Sequence, residues 1–157
     1  MNTTTNAAIE SFWARFIHAH PSMAHARFTE AEQYGAGVEM GNELRALILA
    51  GTKTATCSCL WEWQAESEPI PQAGELSVLL DGHGVPRAVL EIIEVSVRRY
   101  DEVDAAFASQ EGEDDRTLES WRRIHWKWFS DGLPAIGRAP SMDMPLVCER
   151  FRVRYAE

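Results

Sequence analysis

The segment Gly51-Thr52-Lys53-Thr54-Ala55-Thr56-Cys57-Ser58 sets one lysine among closely spaced hydroxyls. A lysine that gives up its proton can activate a hydroxyl nucleophile. A lysine that stays charged can stabilise an oxyanion. If the segment is a strand, Thr54, Thr56 and Ser58 share one face, and Lys53 meets Thr56 only from a turn ahead of the strand. The residues alone equally allow a β-branched strand following an exposed lysine. The second point of interest is Glu111-Gly112. A glutamate at a helix end, followed by glycine, can simply close the helix. The dipole disfavours its charge there, so desolvation is expected to raise its pKa. Glu113 to Asp115 reads as a solvated acidic loop.

Other candidates read more plainly. Cys57 and Cys59 alternate on one strand and fit buried small hydrophobes better than a redox pair. His18, His20 and His25 match no common zinc spacing. His125 lies on an apolar helix stripe and reads as a hydrogen-bonded core histidine before a catalytic one. Arg150, Arg152 and Arg154 share one face of the last strand. They form a local positive patch that could read phosphate or pair with the acidic surface. Trp61, Trp63 and Trp126 fall near element ends, where an exposed ring could stack on a base.

These side chains need a frame. Ile9, Phe12, Trp13, Phe16 and Ile17 follow helical spacing and predict a helix over 6–18, stopped before Pro21. Thr29 with Glu32 resembles a capping box, but Gly35 and Gly37 leave room for one turn at most. A helix is predicted over 40–50, with Leu44, Leu47 and Ile48 inward and Gly51 at its C′ position. Strands are predicted over 54–60, 75–80, 85–97 and 146–155, the middle two joined by Asp81-Gly82-His83-Gly84. The 85–97 run is long for one strand, and a bend is expected within it. A short helix over 101–110 and a longer one over 117–130 complete the set. The sum is an α+β domain of about five strands and four helices. Its natural closure is a small, mostly antiparallel β-barrel flanked by the helices.

The chain has 157 residues, 15 Lys and Arg against 24 Asp and Glu, and a formal charge of −9. That length predicts one domain spanning 1–157. The acidic balance argues against clamping a long polyanion, DNA above all, although a local basic patch could still hold RNA. No apolar run approaches the ~20 residues that span a bilayer, so no membrane partner is expected. Residues 1–6 show neither a basic start nor an apolar stretch, so no signal peptide is expected. Three cysteines without such a signal fit reduced thiols in the cytoplasm. The chain lacks a complete phosphate loop, His-Glu-x-x-His, Gly-x-Ser-x-Gly and Cys-x-x-Cys, so neither a metal nor a cofactor is expected. A monomer and a homodimer are equally compatible with these features.

Taken in order, three motif groups resemble the ASCH-domain family. They are Gly51-Thr52-Lys53-Thr54-Ala55-Thr56; Glu111-Gly112-Glu113-Asp114-Asp115 leading into Leu118-Glu119-x-Trp121-Arg122-x-x-His125; and Val147-Cys148-Glu149-Arg150-Phe151. The match is to the longer bacterial members, with an N-terminal helical extension over about 6–38. The resemblance implies a PUA-like barrel with a cleft beside the helix-to-strand turn. Some members are ribonucleases, and others remove the acyl group from N4-acylcytidine. In the latter a Lys-x-x-Thr pair and a Glu act together, and these fall on Lys53, Thr56 and Glu111. The resemblance thus implies a metal-independent amidohydrolase that yields cytidine and a carboxylic acid. Thr56 is then the nucleophile, Lys53 its base and Glu111 the proton relay, with Thr54, Ser58, Trp61 and Arg150 as weaker substrate-binding candidates. In the inverse arrangement Glu111 activates a water, while Lys53 and Thr56 stabilise the oxyanion. The minimal amidohydrolases lack the glycine and the acidic run after this Glu. The alternatives are a ribonuclease and a non-catalytic RNA-binding module.

Overall fold

A computed structural model describes residues 3–157. Met1 and Asn2, part of the stretch read for a signal peptide, lie outside the described residues. The elements run α1 (Thr3–Ala19), β1 (Glu30–Glu32), α2 (Gly37–Leu49), β2 (Ala55–Cys59), α3 (Leu60–Glu66), β3 (Leu76–Leu80), β4 (Pro86–Arg99), α4 (Ala105–Glu111), α5 (Leu118–Gly132) and β5 (Pro145–Ala156). Three short 3-10 turns interrupt them at Pro21–Met23, Tyr100–Glu102 and Leu133–Ile136.

The five strands form one curled sheet in the order β1-β3-β4-β5-β2. Three of the pairings are antiparallel, and β1 lies parallel to β3. The architecture is α+β, a half-barrel with about five helices. β4 and β5 make the spine, and the bend expected in the long strand appears as two register shifts, at Val89/Leu90 and Ile92/Glu94. Bulges of this kind increase twist and let a sheet curl.

Alternation along β3 explains how the helices attach. Leu76, Val78 and Leu80 point to one side and meet Ile9, Phe12, Trp13 and Phe16 of α1. Leu79 points to the other side and packs with Ile48 of α2, Leu90 and Phe151. A third core joins Phe107 of α4 and Trp121 and Phe129 of α5 to Ala55, Cys59, Leu146 and Cys148 of β2 and β5. Each large side chain buried this way contributes roughly 1.5–3 kcal/mol.

Two elements depart from the sequence reading. Thr29 to Glu32 is not a helix cap: Glu30–Glu32 pairs with Ser77–Leu79 as the parallel edge strand β1. The strand predicted over 54–60 stops at Cys59, and a helix begins at Leu60. The Glu62 carboxylate accepts from the Cys59 amide at 3.2 Å and closes a capping box there.

β1 and β2 are the two edges of the sheet. The curl carries them to opposite sides of one cleft, which Glu30 and Glu32 line from β1 and Thr56 and Ser58 from β2.

Candidate active site

The cleft has a volume of about 310 Å³. At one end lies Lys53, in the turn between α2 and β2, 1% exposed. Its position follows from the helix C-terminus: the Thr52 and Lys53 amides both donate to the Leu47 carbonyl, which curls the chain inward. The Thr54 amide then donates to the Gln110 carbonyl at 2.8 Å and brings α4 alongside.

Glu111 ends α4 and is also 1% exposed. The close approach depends on Gly112, at φ +73°. A Cβ there would stand 2.4 Å from the Thr52 carbonyl oxygen and 2.9 Å from the Lys53 Cα, so only glycine fits.

The Lys53 ammonium donates to Glu111 Oε2 at 3.2 Å, the Glu111 carbonyl at 3.3 Å and Glu113 Oε1 at 2.8 Å. All three of its protons are thereby committed. Burial pushes Lys53 toward losing a proton, but Glu111 and Glu113 outweigh burial and its pKa rises. Glu111 is equally occupied. Its Oε1 accepts from the Trp121 indole at 3.1 Å, and Oε2 faces His125 Nε2 at 3.3 Å as well as Lys53. Burial pushes Glu111 up, yet Lys53 and His125 hold it at about 2. The rise expected from the helix dipole is therefore reversed by two nearby cations.

His125 Nδ1 donates to the Trp121 carbonyl at 2.9 Å, since a carbonyl only accepts. Burial lowers its pKa and Glu111 raises it further, leaving it above the ordinary value. It stacks on Trp121 with centroids 4.3 Å apart. The plain reading of His125 as a hydrogen-bonded core residue therefore holds, and its Nε2 contact with Glu111 also ties it to the site. The acidic run after Gly112 reads as a solvated loop, yet Glu113 is a partner of Lys53. Asp114 and Asp115 serve α5, accepting from Ser120 and Thr117 at 2.7 Å.

Thr56 and Ser58 line the same cleft, with Cys57 between them. The Ser58 hydroxyl accepts from the Trp63 indole at 2.8 Å. Burial and then Glu111 push the Cys57 thiol well up, so it is no thiolate nucleophile. Among the described residues, Cys57, Glu111 and His125 are the one group of three whose ligand atoms lie within 4.8 Å of one another. The set could hold a metal by atom count. The Lys53 ammonium, against the same Glu111 oxygen, already supplies the positive charge an ion would bring.

The other sequence candidates fall elsewhere. Thr54 faces a second, shallower hollow with Ile48, Gly51 and Phe151. Trp61 packs on the core beneath Arg138, 4.8 Å from its guanidinium. Arg150 is held by Gln110 and Glu94, both at 2.6 Å, while Arg152 and Arg154 share Glu91. The arginine face is thus paired with acidic neighbours.

The opposite end of the cleft was not foreseen. Glu30, Glu32 and Tyr34 line it from β1 and the turn after it, and Glu149 lines it from β5. Burial, then Glu30, raises Glu32 to about 8; burial, then Glu30 and Glu75, raises Glu149 to about 7. A signal for Glu149 was present in the sequence. It shares strand parity with Val147 and Phe151, a lone carboxylate on an apolar face.

The curled half-barrel with helices packed on it is a PUA-like fold. The ASCH domain model matches residues 30–155, and the chain belongs to the ASCH domain family. It is similar to the ASCH domain from Lactobacillus crispatus JV V101, with TM-score 0.88, 30% identity and 94% of each chain covered. It is also similar to protein EF3133 from Enterococcus faecalis V583, of family-model DUF984, with TM-score 0.85, 33% identity, and 94% of this chain and 88% of that one covered. No curated protein matches the chain. Among the described residues, no helix is long and apolar enough to cross a membrane.

Proposed function

We propose that the chain is a metal-independent amidohydrolase that removes the N4-acyl group of N4-acylcytidine-type nucleosides, giving cytidine and a carboxylic acid. The observation that carries this reading is the Lys53–Glu111 pair at 3.2 Å, almost wholly buried, in a cleft that Thr56 also lines. Two further features support it. Glu30, Glu62, Glu111 and Glu113 line the cleft against Lys53 and His125, and Glu32 and Glu149, raised to about 8 and about 7, add further charge as pH rises, a lining that disfavours a phosphodiester and admits an uncharged nucleoside. The basic strand that an RNA reading needs is spent on internal ion pairs.

In this reading the acyl carbonyl sits beside Thr56, whose hydroxyl attacks it. The N4 lone pair is delocalised into the pyrimidine, so cytosine leaves more readily than an ordinary amine. Lys53, charged and fully hydrogen-bonded, contributes a fixed positive potential at the oxyanion. Glu111 and Glu113 hold that cation in place. The base role implied for Lys53 by the family resemblance gives way here to an electrostatic one.

The test is ultraviolet absorbance of N4-acetylcytidine incubated with EDTA-treated protein. Conversion to cytidine is expected, reduced at least about 100-fold in Thr56→Ala and retained in Thr56→Ser. No conversion, or conversion indifferent to Thr56→Ala, overturns the reading. Salt-sensitive RNA cleavage by the same protein would then favour the ribonuclease alternative.

A further inference from the structure

A threonine nucleophile needs a group to take its proton, and the paired end of the cleft offers none. All three Lys53 protons are engaged, and both Glu111 oxygens accept from neighbours. Glu149 stands differently. It is 9% exposed, lines the cleft, and makes no side-chain hydrogen bond or ion pair among the described residues. In the β2–β5 ladder it lies directly opposite Thr56. Directly opposed residues of an antiparallel pair share a face, with Cβ atoms ~4.5–5.5 Å apart. A hydroxyl and a carboxylate so placed, with no hydrogen bond between them, are within reach of each other through one water.

We propose that Glu149 is the general base of this site, taking the Thr56 hydroxyl proton as the acyl–oxygen bond forms. The proposal rests on the amidohydrolase reading. When the acyl carbon–N4 bond breaks, Glu149 returns the proton to the leaving nitrogen and cytidine is released. Water then attacks the acyl-threonine, giving its proton to Glu149; the carboxylic acid leaves, and the proton returns to Thr56. No metal or redox partner enters the balance.

The surroundings suit this role. Glu149 faces Glu30 and Glu32 of β1, Tyr34, Glu75 ahead of β3, and Glu111 of α4. Burial, then Glu30, Glu75 and Glu111, lift it to about 7, near the range where a base works best at neutral pH.

The experiment is a pH profile of N4-acetylcytidine hydrolysis for the wild type, Glu149→Gln and Glu149→Ala. Wild-type kcat/KM is expected to rise with pH and level off above about 7. Glu149→Gln should lower kcat about 100-fold or more and remove that rise. Glu149→Ala should regain activity with added formate, which a structural role would not explain. Circular dichroism confirms folding, and Glu149→Asp serves as the variant if either fails to fold. If Glu149→Gln keeps more than about a tenth of the wild-type kcat with the pH rise intact, the base role is wrong. Loss of activity without formate rescue, the rise persisting, makes Glu149 a positioning residue and equally overturns it. A wild type inactive at every pH removes the amidohydrolase reading itself, and the base role falls with it.

Discussion

The two ends of the cleft lie in one cavity and treat charge in opposite ways. At the α4–α5 end, Lys53, Glu111, Glu113 and His125 form a closed set in which each charge has a partner of opposite sign. At the β1–β5 end, Glu30, Glu32 and Glu149 face one another with no cation between them among the described residues. A paired buried charge stays ionised and holds its neighbours in place. An unpaired one binds a proton near neutrality and can exchange it. One end thus supplies a standing field and the other a movable proton.

The contrast is most exposed to removal of Lys53. Lys53→Met leaves two carboxylates without their cation, and a buried pair broken from one side costs about 3–5 kcal/mol. Urea denaturation should show that loss, with partial recovery in the double variant Lys53→Met/Glu111→Gln. Equal stability of the single and double variants would mean that the pair is not coupled.

At the other end the same kind of change should act in reverse. Glu149→Gln removes a buried charge that has no partner, and should stabilise the fold by about 1–3 kcal/mol at pH 8. The pH dependence follows with signs set by each shift. Glu111 is lowered to about 2, so its contribution is present above the ordinary carboxylate range and lost as pH falls toward 2. Glu149 and Glu32 are raised to about 7 and about 8, so the folded state holds their protons longer and weakens as pH climbs through those values. Thermal unfolding from pH 4 to 9 should peak near pH 5 and decline on the alkaline side. The decline should be shallower in Glu149→Gln. A flat alkaline limb in the wild type would erase the distinction between the two ends.

The smallest effect belongs to the surface. Arg152→Ala breaks a solvent-exposed pair with Glu91, and both unfolding midpoint and nucleoside hydrolysis should stay at wild-type values. A large loss of activity there would bring the arginine face back as a binding surface.

Periodicity made α1, α2, α5 and the strands β3, β4 and β5 legible, because each buries a continuous face of its own. β1 was not, because Glu30-Ala31-Glu32 carries no apolar alternation and exists as a strand only through its pairing with β3. The start of α3 was hidden because Cys59 is not an ordinary cap residue, and Glu62 supplies the missing acceptor. In the site, the family resemblance grouped Lys53, Thr56 and Glu111, which residue types alone did not. They could not place Glu113, which looks solvated until Gly112 turns it back toward Lys53. Nor could they give the sign of the Glu111 shift, which depends on Lys53 being buried against it and then on His125 reaching across from α5.

The Lys53 pairing also bears on the order of folding. Its two carboxylate partners lie 58 and 60 residues further along the chain. The α2–β2 half and the α4–α5 half therefore complete this pairing only together, a long-range contact of the kind that accompanies slower folding. A nascent chain that ends before Glu111 would hold a lysine awaiting both of its carboxylate partners.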